Sequence, residues 1–261
     1  MNIVVCVKYV PDATADQRFE SDNTVDRVAV DGLLSELDEY AVEQALQIAE
    51  KNEGSEVTAV CIGPAQAEAA VRKALQMGAD KGIHVLDDAI AGSDAVATSL
   101  ILAEAVKKAG PADIVVTGMA STDGGMSVVP AMLAERLGLP QVTFASVVET
   151  QGDQIRAKRD GDTATEIIGA TLPVVLSVTD QTGEARYPSF KGIMAAKKKP
   201  VETVSLGDLG IDAGQVGLSV AWTAVEDTTA RPPRTAGEIV TDADGSGASA
   251  LAGFLASKKF I

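Results

Sequence analysis

With 261 residues, 46% of them hydrophobic but only 3% aromatic, the chain has enough Ala, Val, Leu and Ile to fill one large core or two small ones. A formal net charge of −15 excludes general affinity for nucleic acid or an anionic membrane. No apolar run approaches the ~20 residues of a membrane span, and Lys8 follows Met1 too soon for a secretory signal, so a cytoplasmic protein is expected.

Residues 3–7, crowded with β-branched side chains, predict a buried strand. Residues 38–51 place Ala41, Val42, Ala45, Leu46 and Ala49 at helical spacing. A strand over 57–62 ends at Gly63-Pro64, where proline leads into a helix over 65–77 that Gly78 closes. A third strand covers 82–86. Ser93-Asp94 then offers an N-cap to a helix that runs to Lys108 and stops at Gly110-Pro111. Residues 114–117 form a fourth strand, followed by a glycine-rich loop and a helix over 128–137. Repeated strand–helix–strand units require parallel pairing and right-handed crossovers. The expected fold class is therefore α/β, with a Rossmann-like parallel sheet.

After Pro140, residues 142–148, 154–158, 163–170 and 174–178 are strand-like runs parted by polar turns such as Gln151-Gly152-Asp153. That is the pattern of an antiparallel extension. From about Val201 the pattern fades, and residues 228–249 are rich in Thr, Pro, Gly and Asp. The expected division is a nucleotide-binding domain with its extension over 1–200, then a C-terminal segment over 201–261. The long irregular stretch reads as an arm lying on another chain and ending in a short helix over 251–255. A disordered tail is the alternative.

Chemistry-bearing residues are sparse. Cys6 and Cys61 lie in apolar runs, as core thiols or as groups near a ligand at a strand end, and a disulfide framework is not expected. The one histidine, His84, reads as structural. Neither a metal cluster nor a nucleophile–base set is evident, so no catalytic residue is expected. In an open parallel sheet, ligands bind beyond the carboxyl ends of the strands. Those ends carry Lys8, Gly63 and Gly118, and Gly118 opens a loop through Ser121, Thr122, Asp123, Gly124, Gly125 and Met126 to Ser127 and a helix. Adjacent glycines admit a ligand close to the backbone, and the helix start offers N–H groups to an anion. Ser127 is read as a cap, a phosphate partner or both. Asp123 would repel a phosphate, so it points away or meets a ribose or a backbone N–H. No Walker lysine follows, which argues against P-loop chemistry.

One stretch carries a family resemblance. Ala157-Lys158-Arg159, Asp162, Glu166-Ile167-Ile168 and Pro173-Val174-Val175-Leu176-Ser177 together resemble the signature region of electron-transfer flavoprotein β subunits. The likeness spans nearly the whole chain, including Val7-Lys8-Tyr9-Val10-Pro11-Asp12, Met77-Gly78-Ala79-Asp80 and residues 186–199. It implies a heterodimer whose α subunit holds the redox-active FAD while the β subunit buries a structural AMP. Carried over by position, the AMP pocket would use Cys6, then Ser35, Leu37 and Asp38, and then Ile62 with Gly63. It would continue with Asp123, Gly124, Gly125, Met126 and Ser127, and with Val128, Val129, Pro130, Ala131 and Ala134. Leu37 falls near the flavin of the α subunit, and Asp160 at a position implicated in contact with the mobile FAD domain. The resemblance also implies electron donors among flavin dehydrogenases such as acyl-CoA dehydrogenases, and a membrane quinone oxidoreductase as acceptor.

The family's recognition loop, about residues 180–199, maps onto Arg186, Tyr187, Phe190, Ile193 and Met194. Phe190 stands in a proline- and glycine-flanked segment with little core to fill, which suits an anchor for a partner pocket. The alternative is an aromatic folded back on the body. Lys197-Lys198-Lys199 either steers acidic partners or is a solvated edge. Two rival functions are a bifurcating-type β subunit with a second FAD in place of AMP, and an ATP-using enzyme of the adenine-nucleotide α-hydrolase type.

Overall fold

The computed structural model describes residues 1–229, 232, 235–237, 239–242 and 244–261. Two compact units result, Met1–Glu226 and Asp227–Ile261.

The first unit is built on a nine-stranded sheet. Its strands are β1 (Asn2–Val7), β4 (Glu56–Ile62), β5 (Lys81–Val85), β6 (Ile114–Gly118), β7 (Gln141–Gln151), β8 (Gln154–Asp160), β9 (Thr165–Thr171), β10 (Val174–Val178) and β11 (Val201–Val204). The order across the sheet is β11-β5-β4-β1-β6-β10-β7-β8-β9. A separate antiparallel pair, β2 (Tyr9–Pro11) and β3 (Gly32–Leu34), carries the excursion 12–31 out of the end of β1. The helices are α1 (Glu36–Lys51), α2 (Glu68–Met77), α3 (Ala95–Ala109), α4 (Val129–Leu137) and α5 (Phe190–Ala196), with α6 (Gly247–Ser257) in the second unit.

Alternation along each central strand splits the core in two. Val5, Cys61 and Val116 face α1 and α2, packing with Ala41, Val42, Ala70 and Leu75. Cys6, Val60 and Val115 face α3 and α4, packing with Ile101, Leu102, Leu133 and Ala134. The two cysteines thus lie on opposite faces of the sheet and cannot pair, and burial pushes both thiols up to about 12. The chain winds outward from β1 in one direction and resumes with β6 in the other, so the switch point lies between these neighbours. α/β architecture and parallel central pairing agree with the sequence reading.

Three expectations are corrected. Residues 174–178 are not part of the antiparallel extension: β10 lies inside the sheet, parallel to both β6 and β7, with all five residues buried. Such a strand is apolar on both faces, and its short Val-rich run says nothing about its partners. Only β7, β8 and β9 form the antiparallel part. Secondly, the pattern does not end near 200, because β11 pairs in parallel with β5 and the first unit runs to Glu226. The four residues Val-Glu-Thr-Val make an edge strand with one buried position, too brief a signal to recognise. Thirdly, the predicted helix over 65–77 is a 3-10 turn over Ala65–Ala67 followed by α2.

In the second unit the terminal helix is longer than expected and none of its residues is buried. Leu251, Phe254, Phe260 and Ile261 are all exposed. The expected arm over 228–249 includes residues 230, 231, 233, 234, 238 and 243, which lie outside the described residues.

Candidate functional site

The switch point brings together the end of β1, the end of β6, the start of α1 and the loop before α4. Asp38, buried in the first turn of α1, accepts the Lys8 backbone N–H at 2.8 Å. A Cβ on Gly118 would sit 2.6 Å from Asp38 Oδ1 and 2.9 Å from the Leu37 carbonyl. Only glycine allows β6 to end this close to the helix. Burial pushes the Asp38 carboxyl up to about 7, against the Lys8 and Gly118 N–H groups that pull it down. Ser35 is likewise buried: its N–H donates to the Lys8 carbonyl at 2.9 Å, and its hydroxyl lies 3.4 Å from the Thr122 N–H.

Asp123 is neither turned to solvent nor left to repel an anion. Its side chain is almost wholly buried, with Lys8 Nζ at 2.9 Å on one oxygen and Arg27 Nη2 at 2.6 Å on the other. It also accepts the Gly124 N–H at 2.7 Å. Burial raises its pKa, but Lys8, the Ser121 hydroxyl and Arg27 more than reverse this and hold it well below the usual carboxylate range. Arg27 belongs to the excursion 12–31, so this ion pair fastens the excursion to the glycine loop. Together they leave a cavity of about 150 Å³ lined by Ala13, Gln17, Arg18, Phe19, Val25, Thr122 and Asp123.

Beyond Asp123 the loop is open. Gly124, Gly125, Met126 and Val128 are exposed, whereas Pro130 and Ala134 are buried. Gly125 and Ser127 both have φ near +60°, at 58° and 59°. For serine this left-handed conformation costs roughly 1–2 kcal/mol, a strain of the kind found at ligand loops. Ser127 does not cap α4. The N-cap is Val128, which offers no side-chain hydrogen bond. The N–H groups at the start of the helix therefore have no side-chain acceptor among the described residues.

A second unsatisfied group, near the end of β6, was missed in the sequence. Thr117 is buried, and among the described residues its hydroxyl has no hydrogen-bond partner. It alternates with Val115 onto the α3–α4 face, one residue beyond the Val5–Val116 pair, which sets it beside Cys6. Its signal was a lone hydroxyl closing the apolar run Ile114-Val115-Val116. Ile62 and Gly63 are half-buried at the end of β4. The Gly63 carbonyl is 3.1 Å from His84 Nε2, a structural use of the histidine. Of the predicted pocket residues, then, Cys6, Ser127, Val129 and Ala131 border the unsatisfied groups. Ser35, Asp38 and Asp123 are occupied in holding the protein's own backbone and cations.

A family model described as the electron transfer flavoprotein domain matches residues 22–209. The chain belongs to the electron transfer flavoprotein family. It is 45% identical to the electron transfer flavoprotein subunit beta of Mycobacterium bovis, over 100% of this chain and 99% of the relative. Identity to the protein of the same name from Thermoanaerobacterium thermosaccharolyticum is 38%, covering 92% of each. Subunit CarD of the caffeyl-CoA reductase-Etf complex of Acetobacterium woodii is 33% identical over 99% of this chain and 97% of its own length. These relatives place the chain among the β subunits of electron-transfer flavoproteins, electron carriers whose subunit naming implies an α partner.

The expected docking segment of this electron transfer flavoprotein chain folds as α5 and its approaches. Tyr187 and Phe190 are 93% and 80% exposed, so the aromatic at 190 is not folded back on the body. Ile193 and Met194 add exposed apolar surface. Arg186 is otherwise engaged: it forms ion pairs with Glu43 at 2.7 Å and Glu50 at 2.5 Å, both on α1. The lysine run divides as well. Lys197 and Lys198 are exposed, but Lys199 Nζ reaches the carbonyls of Leu75, Gly78 and Ala79 at the end of α2. Asp160, on the antiparallel part, accepts from Ser146 at 2.6 Å and Thr165 at 2.8 Å and pairs with Lys158 at 3.0 Å. Those hydrogen bonds lower its pKa to about 2. Among the described residues, no helix is long and apolar enough to cross a membrane.

Proposed function

We propose that the chain is the β subunit of a heterodimeric, cytoplasmic electron-transfer flavoprotein with AMP at the switch point between β1 and β6. Its α partner makes most of the contacts to FAD. The heterodimer accepts electrons from flavin dehydrogenases such as acyl-CoA dehydrogenases and passes them to a membrane-associated quinone oxidoreductase. The observation carrying the AMP reading is the pairing of an orphaned buried hydroxyl, Thr117, with an uncapped helix start at α4. Buried polar groups in folded proteins have partners, and a helix N-terminus suits a phosphate. A nucleoside monophosphate supplies both a hydrogen-bonding end and an anionic end.

In this reading Cys6, Thr117 and Ala134 wall the inner part of the site. The Ser127 hydroxyl and the N–H groups of Val129 and Ala131 receive the phosphate, while Pro130 has no N–H to give. Asp123 takes no part in binding the anion; it keeps Lys8, Arg27 and the glycine loop in place. AMP, when bound, adds negative charge and a rigid ring and takes no part in redox chemistry, and FAD supplies the electron-accepting ring. This chain contributes scaffold and docking surface, with no residue assigned as acid, base or nucleophile.

The test is to co-express the chain with its α partner, purify the heterodimer and release its nucleotides by denaturation. One FAD and one AMP per heterodimer is the expected result. Two FAD and no AMP would establish the second-flavin reading instead. ATP turnover by the heterodimer would favour the hydrolase-like one.

A further inference from the structure

The docking segment carries an unusual amount of fastening for so exposed an element. At its start, Arg186 is held on α1: its backbone N–H donates to Glu43 Oε2 at 3.1 Å, Nε to the same oxygen at 2.7 Å, and Nη2 to Glu43 Oε1 at 3.0 Å. Nη1 and Nη2 reach the two oxygens of Glu50 at 2.5 and 3.1 Å. Glu43 is itself buried and further held by Gln47 Nε2 at 2.9 Å. In the middle, the Ser189 hydroxyl caps α5 by accepting the Gly192 N–H at 3.0 Å. A Cβ on Gly192 would lie 2.5 Å from the Gln76 carbonyl, so the helix rests directly on the last turn of α2. At the end, Lys199 is tied to the three carbonyls in and just beyond the last turn of α2, while Arg72 reaches back to the Lys199 carbonyl at 3.2 Å. Between these fastenings the aromatics at 187 and 190 stand in solvent.

We infer that Arg186, with Glu43 and Glu50, and Lys199 are positioning residues that pre-organise the Tyr187–Phe190 surface for docking and do not themselves contact the partner. The inference rests on the reading of this segment as the docking surface. Its physical basis is the cost of binding: a loose segment must be ordered on association, and each immobilised side chain and loop residue subtracts from affinity. A segment already fixed on α1 and α2 avoids that loss. Besides the buried Ala196, the fastening is made from ion pairs and hydrogen bonds, which leaves Tyr187 and Phe190 free for a partner's pocket. Two carboxylates on one guanidinium fix its plane as well as its place, which a lysine at 186 would not do.

The experiment compares four heterodimers: E43Q/E50Q, R186A, F190A and wild type. Each is reduced by an acyl-CoA dehydrogenase at saturating acyl-CoA, and hydrogen–deuterium exchange is followed over residues 184–196. The expected result for E43Q/E50Q is a KM for the heterodimer roughly tenfold higher, with kcat and nucleotide content unchanged, and faster exchange across the segment. F190A is expected to raise KM while leaving exchange unaltered. Unchanged exchange in E43Q/E50Q would overturn the inference. So would faster exchange with a wild-type KM, provided F190A does raise KM. If F190A leaves KM at the wild-type value, the docking reading itself falls, and the clamp then serves the fold alone. An R186A effect on KM that E43Q/E50Q does not reproduce would make Arg186 a direct contact and also overturn the proposal.

Discussion

Replacing Asp123 by asparagine isolates the charge at the centre of the glycine loop. The side chain keeps its size, yet Lys8 and Arg27 lose their shared counter-ion and the Gly124 N–H loses a charged acceptor. Both cations are more than a third exposed, at 41% and 36%, so solvent screens the loss and each pair is worth only about 0.5–1 kcal/mol. The charge-assisted bond within the loop adds about 1–2 kcal/mol. The total of about 2–4 kcal/mol corresponds to a Tm lowered by roughly 4–16 °C in a unit of this size. Thermal unfolding of the heterodimer, followed by circular dichroism between pH 4 and 8, measures it. The folded pKa of Asp123 lies below its unfolded value, so its stabilisation is fully present above that unfolded value of about 3.9. It is lost as pH falls through the folded pKa. Because Asp123 also helps raise the pKa of Asp38, the gap between wild type and variant is expected to be steady only between about pH 6 and 5, and to begin narrowing near 4. A Tm within 1 °C of wild type at pH 7 would refute the reasoning, as would a gap that widens below pH 5.

Other changes probe the same region and its surroundings. Gly118→Ala drives a methyl group into Asp38 and the Leu37 carbonyl and is expected to cost at least about 1–3 kcal/mol, read as a lowered Tm. Asp38 has a folded pKa raised to about 7, so stability is expected to fall as pH rises from about 4 to 7. The loss is on the order of 2–4 kcal/mol. Asp38→Asn should flatten that slope in denaturant titrations at each pH, and an unchanged slope would contradict the assignment. Lys199→Met removes three carbonyl contacts from the end of α2 and is expected to cost about 1–2 kcal/mol, whereas Lys198→Met, at an exposed position, should be neutral.

Local signals carried much of the architecture. β-branched runs at 3–7, 57–62 and 114–117, punctuated by Gly63-Pro64 and Gly110-Pro111, marked a parallel sheet because each signal lies within a few residues of the element it defines. What stayed hidden depended on distance along the chain. Asp123 reads as an anion beside a phosphate loop until the fold brings Lys8 and Arg27 to it from more than ninety residues away. Lys199 looks like its two neighbours in a basic run, yet its ammonium is spent on α2. Arg186 resembles a docking residue until Glu43 and Glu50 are seen around it. β10 misled for another reason: five apolar residues between turns suit either pairing direction, and its two-sided burial appears only once α1 and α4 are in place. Thr117 was visible as a residue type but not as an orphan, since satisfaction is a property of the surroundings.

The two cysteines, back to back across adjacent strands, equip the protein with a pair of internal gauges. Cys61 reports on the layer of α1 and α2, and Cys6 on the layer of α3 and α4 that borders the switch point. Both thiols are sealed in the native state and reluctant to ionise, so an alkylating reagent reaches each only when its own layer lifts from the sheet. The ratio of their labelling rates would time the opening of one side of the molecule against the other, with no probe added to the sequence.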